Sequence, residues 1–71
     1  MKYTNKNIVG KWFKTYLGKY YIVSYNEINK EFTLMSVHNN HQFTTLVDIA
    51  THLNMSGSWR IINKFPIYEI Y

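Results

Sequence analysis

The 71-residue chain contains no cysteine, which excludes disulfides and thiolate metal sites. It has one proline and three glycines, the isolated Gly10, Gly18 and Gly57, so no glycine-rich phosphate loop is present. Acids are scarce: Glu27, Glu31, Asp48 and Glu69 are the full set, which leaves few pairings for general acid–base catalysis. No serine stands in a G-x-S-x-G elbow. No apolar run approaches the roughly 20 residues that cross a bilayer. The basic start, MKYTNKNIVGKWF, lacks the apolar stretch of a secretory signal. These absences together predict a cytoplasmic protein that is not an enzyme and has no cofactor.

So short a chain forms one domain, over 1–71, and buries only about 60% of the surface its unfolded form exposes. Its core contributes about 3–5 kcal/mol. Stability must therefore come from close packing, a homodimer, or a histidine metal site. The content of 46% hydrophobic and 18% aromatic residues is too rich for a disordered tail. Residues 1–7, MKYTNKN, are polar and are expected to fray or be disordered.

The rest reads as short strands with turns at close spacing. Residues 8–16 and 19–25 are aromatic and β-branched, with Leu17-Gly18 between them. Gly18 suits the left-handed position of a three-residue hairpin loop, which would set Thr15 opposite Lys19 and Phe13 opposite Tyr21. Residues 26–30 read as a longer turn, and 31–37 and 42–46 as further strands. Between these lies His38-Asn39-Asn40-His41. Asn tolerates positive φ, so Asn39-Asn40 suits a two-residue turn with His38 facing His41, Ser36 facing Phe43 and Phe32 facing Val47. Residues 45–54 switch to a helical period, with Leu46, Ile49, Ala50 and Leu53 on one stripe, Thr45 as the cap and Gly57 as the stop. Residues 58–62 and 66–71 return as strands. The expected fold is α+β: a small antiparallel sheet or half-open barrel, in the order β-β-β-β-α-β-β, with one short helix.

In that register one sheet face carries Phe13, Tyr21, Val23, Phe32, Leu34, Phe43 and Val47. The other carries Trp12, Lys14, Tyr20, Ile22, Met35, Val37 and Leu46. Both are apolar, and a short helix can cover one only in part. A one-residue slip would exchange them.

An apolar face left uncovered predicts association. The first functional reading is thus a small regulatory or inhibitory protein that covers a partner protein, through Trp12, Tyr20, Ile22, Met35, Tyr68 and Tyr71. Lysine-rich, arginine-poor composition fits an AT-rich phage or mobile element. The alternative rests on charge. Residues 1–26 hold five lysines and no acid, and KWFKTYLGKYY interleaves lysine with aromatic residues. Lys11, Trp12, Lys14, Lys19 and Tyr20 are then a nucleic-acid-binding set: cations for phosphate and rings for bases. A metal reading would gather His38, His41, His52 and Asp48. These match no spaced ligand motif, and a plain turn accounts for His38 and His41 better.

Overall fold

The computed structural model describes residues 2–37, 40–55 and 57–62. Five strands and one helix follow in the order β1 (Trp12–Thr15), β2 (Gly18–Asn26), β3 (Glu31–Ser36), β4 (Gln42–Thr45), α1 (Ile49–Met55) and β5 (Arg60–Ile62). The fold is α+β. All pairings are antiparallel, and the sheet order is β4-β3-β2-β1-β5. Strands β1 to β4 form a meander, and β5 returns after the helix to flank β1. The strand expected at 66–71 lies outside the described residues.

Each hairpin closes through local side-chain or backbone bonds, and the first and third depart from the expected register. The first loop holds only Tyr16 and Leu17, and Thr15 pairs with Gly18. The buried Thr15 hydroxyl accepts the Leu17 N–H at 3.0 Å and donates to the Gly18 carbonyl at 3.4 Å. That side-chain turn closes the loop one residue early. Phe13 therefore faces Tyr20, and Trp12 faces Tyr21. At the second turn, β2 runs on to Asn26, whose side chain accepts the Ile28 N–H at 2.9 Å. Asn26 pairs with Glu31, and Lys30 takes the left-handed conformation with φ 56°. At the third turn the Ser36 N–H donates to the His41 carbonyl at 3.0 Å, and the Asn40 N–H donates to the Ser36 carbonyl. So His41 is opposite Ser36, and Leu34 faces Phe43. This shift of two keeps the facing pattern and leaves Val37 buried. His38 lies outside the described residues.

The one-residue change at the first hairpin exchanges the faces of β2. Ile22, fully buried, and Tyr20 point to the helix side, and Tyr21 to the other. A bulge between Ile22 and Ser24 then resets the alternation. It brings Tyr25 back to the helix side, where it packs on Phe32 at a centroid distance of 4.5 Å.

The core consists of Ile8, Phe13, Ile22, Phe32 and Leu34 under Ile49, Ala50 and Leu53 of α1. The helix is shorter than the expected 45–54, and Leu46 is exposed. Its start is fixed by two side chains. Asp48 accepts the Thr51 N–H at 3.4 Å, and Asn5 accepts the Ala50 N–H at 3.2 Å, satisfying donors that a helix start leaves unpaired. Thr45, the expected cap, instead accepts the Val47 N–H. Two residues near the start pack against the rest: Tyr3 is bonded to Asn54, and Ile8 is wholly buried.

Candidate functional site on the sheet face opposite the helix

The helix covers one side of the sheet. On the other side, cross-strand pairing aligns two rows of side chains, because residues directly opposite in an antiparallel pair share a face. The first row is apolar over four strands, Ile62, Trp12, Tyr21 and Met35 from β5 across to β3, and ends in the polar Gln42 of β4. Its centre is the pair Trp12–Tyr21, with centroids 4.8 Å apart and rings inclined by 51°. Together they make one aromatic surface across two strands. The second row is basic. Arg60 pairs with Lys14, and Lys14 with Lys19. It runs beside the first, two residues along β1, or about 7 Å away.

Three cations on three adjacent strands oppose one another directly, an arrangement that costs stability in a sheet. Among the described residues the acids Glu27, Glu31 and Asp48 lie elsewhere. Glu31 opposes Asn26 at the far end of the β2–β3 hairpin. It is six residues along β3 from Val37, whose N–H meets the Lys19 carbonyl, or about 20 Å at strand rise. Glu27 pairs with Lys6 at 2.9 Å, both side chains being exposed. Lys2 lies over the Tyr3 ring at 5.4 Å. The basic N-terminal half thus divides: Lys14 and Lys19 pair into one row with Arg60 on the face opposite the helix. Lys11, also exposed, lines with Gly10, Trp12, Ile61 and Ile62 a recess of about 170 Å³ beside the aromatic row. Gly10 enters β1 at φ 84°, a conformation that disfavours any side chain.

The residues expected to bind nucleic acid are therefore brought together in four of five cases. Lys11, Trp12, Lys14 and Lys19 gather, and Tyr20 does not. Tyr20 lies on the helix side, 5.6 Å from Phe13, and Tyr21 takes its place. Tyr21 and Arg60 were absent from the expected set. The first depends on loop length, and the second on β5 pairing with β1. The signal that would have located Tyr21 is Thr15, whose hydroxyl shortens the loop. The set expected to bind a partner protein is divided. Trp12 and Met35 share the face opposite the helix, while Tyr20 and the fully buried Ile22 are on the helix side. Tyr68 and Tyr71 lie outside the described residues.

The helix side has its own opening, where α1 stops short. Trp59 stacks between His52 and Phe13, with centroid distances of 4.4 and 5.7 Å, and Tyr20 meets Phe43 edge-on. They line an apolar cleft of about 320 Å³, with exposed Tyr16 and Leu17 at its rim. Asp48 and His52 are one helical turn apart on α1. The Asp48 carboxyl titrates below the ordinary value, chiefly because the Thr51 side chain hydrogen-bonds it. Among the described residues no three histidine, aspartate or glutamate side chains gather as a metal site. No described helix is long and apolar enough to cross a membrane.

No known protein family, curated protein or solved structure matches the chain.

Proposed function

We propose that this chain is a small, non-enzymatic nucleic-acid-binding protein that uses the sheet face opposite the helix. One observation carries the reading: the row Arg60–Lys14–Lys19 runs alongside the row Ile62–Trp12–Tyr21–Met35. Like charges set directly opposite each other destabilise a sheet by about 0.2–1 kcal/mol per pair. An anionic ligand offsets that cost. Cations for phosphate beside rings for bases are the working parts of nucleic-acid platforms built on small sheets.

The test compares two double charge reversals of equal net charge. Lys14→Glu with Arg60→Glu changes the face opposite the helix; Lys2→Glu with Lys6→Glu changes the N-terminal segment. Binding of fluorescent polynucleotides near 100 mM salt is expected to weaken at least tenfold for the first pair and little for the second. Equal weakening by both pairs would reduce the binding to bulk charge and overturn the proposal.

The helix-side cleft supports a second reading. Its exposed rim, Tyr16 and Leu17 with Phe43 and Val47 nearby, would anchor a partner protein. Leu17→Asp would abolish such a complex without affecting polynucleotide binding, as a competition assay would show.

A further inference from the structure

We infer that the outer edge of β4 pairs with β4 of a second copy of this chain, antiparallel and with Phe43 opposite Phe43, so that two five-stranded sheets join into one. This surface is independent of the nucleic-acid reading. β4 is the last strand on its side of the sheet, and among the described residues nothing pairs with its outer edge. Gln42, Phe43 and Thr44 are exposed. A bare edge is a row of unpaired N–H and C=O groups, whose chemical complement is another extended backbone. Which groups face outward follows from the ladder. The Ser36 N–H donates to the His41 carbonyl, so the two residues form a hydrogen-bonded pair. In an antiparallel pair that polarity recurs at every second residue, here at Leu34–Phe43 and Phe32–Thr45. The backbone groups of Gln42 and Thr44 therefore point away from β3.

The occupant is a second copy because this edge has none of the features that keep like edges apart, namely charge, proline and bulges. β4 reads Gln-Phe-Thr-Thr, and its register with β3 is unbroken. β5, at the opposite edge, carries Arg60. With a net charge of +4, two copies approach with least repulsion along an uncharged edge. The side chains also match. With Phe43 at the two-fold axis, Gln42 and Thr44 of one copy meet Thr44 and Gln42 of the other in hydrogen-bonded pairs, giving about four backbone bonds. Phe43 meets its counterpart as a non-hydrogen-bonded pair, the closer kind, with Cα atoms about 4.5 Å apart. Each Phe43 already meets Tyr20 edge-on at 5.8 Å, so a line of rings crosses the axis on the helix side. Exposed Val47 lines the same cleft as Phe43 and adds apolar area beside it. The Val47 N–H turns back onto the Thr45 hydroxyl at 3.2 Å, which ends the strand and keeps the ladder short. The contact is isologous, as a two-fold dimer requires, and its small size makes the dimer weak and reversible.

Sedimentation equilibrium on the full chain, without polynucleotide, reads the outcome. It is expected to show a reversible monomer–dimer equilibrium, half associated below about 200 μM, as suits an interface at the small end of the range. Thr44→Pro removes an outward N–H, a change that an edge strand tolerates. It should weaken association about tenfold or more and leave the fold of the monomer unchanged. Because the chain has no cysteine, one introduced thiol reports the register. Cα atoms so close at the axis suit a disulfide, so Phe43→Cys should oxidise to a linked dimer about tenfold faster than Ile28→Cys. Ile28 is exposed in the turn between β2 and β3. Should Thr44→Pro fail to fold, the two oxidation rates remain decisive. A chain still monomeric at about 200 μM would overturn the inference and leave the edge to a strand of a different protein. Equal oxidation rates, or a dimer that Thr44→Pro leaves intact, would also overturn it, since another surface would then hold the copies together.

Discussion

The Asn54 side chain grips the backbone of Tyr3 at both polar groups, accepting its N–H at 3.0 Å and donating to its carbonyl at 2.9 Å. The two residues are 51 positions apart, so the clasp ties the beginning of the chain to the end of α1. Asn54→Ala removes both bonds at a part-buried site. It should lower stability by about 1–3 kcal/mol, at about 0.5–1.5 kcal/mol per bond. Urea unfolding would measure this, and Asn54→Asp, which keeps the acceptor only, should fall between.

At the other end of the helix, Asp48→Ala should cost about 1 kcal/mol as a lost cap. The dependence on pH has a definite sign. The folded-state carboxyl titrates low because Thr51 hydrogen-bonds it. Its contribution is therefore complete above the unfolded-state value of about 3.9 and is lost as pH falls through the lower folded value. The stability difference between the parent and Asp48→Ala should be constant near neutrality and shrink below about pH 4, as acid-dependent thermal melts would show.

Lys30 is held at φ 56° in the turn between β2 and β3, a conformation that costs a side-chain-bearing residue about 1 kcal/mol. Lys30→Gly removes that strain at an exposed position. The variant should be more stable by about 0.5 kcal/mol, after the extra chain entropy of glycine is subtracted. A net loss in denaturant titration would show that the lysine side chain stabilises the turn.

Lys14 is flanked by Lys19 on one side and Arg60 on the other. Lys14→Glu turns two repulsive neighbours into attractive ones, so it should stabilise the sheet by about 0.5–1 kcal/mol while weakening polynucleotide binding. The two effects have opposite signs, which separates a functional residue from a structural one. A raised melting temperature with weakened binding is the expected pair of results.

Ile22→Ala tests the placement of β2. With its side chain wholly buried in the core, the substitution should cost about 2–5 kcal/mol. A loss below about 1 kcal/mol in the same unfolding assay would instead indicate an exposed side chain.

The order of strands and helix was legible because it rests on composition and period: aromatic and β-branched runs, punctuation by turn residues, and a 3.6-residue stripe at Ile49, Ala50 and Leu53. Register was not legible, because it turned on single atoms. The Thr15 hydroxyl replaced a third loop residue, and burial of Val37 moved the third turn by two. Both residue types are common in strands, so neither announces its role. For the site, Trp12, Lys14 and Lys19 were found from local interleaving alone. Tyr21 required the correct loop length, and Arg60 required the long-range pairing of β5 with β1, which no local pattern encodes.

That last pairing, with the Tyr3–Asn54 clasp, has a consequence for the order of assembly. The β1–β4 meander is built from neighbours in sequence and can form early, since closing short loops costs little entropy. Ile8 and Tyr3, though synthesised first, have nothing to dock against until α1 exists, and β1 keeps an open edge until β5 arrives. Arg60 joins Lys14 only at that final step. The complete basic row is therefore a property of the finished chain, and a nascent or truncated meander presents the rings of Trp12 and Tyr21 without the full set of cations beside them.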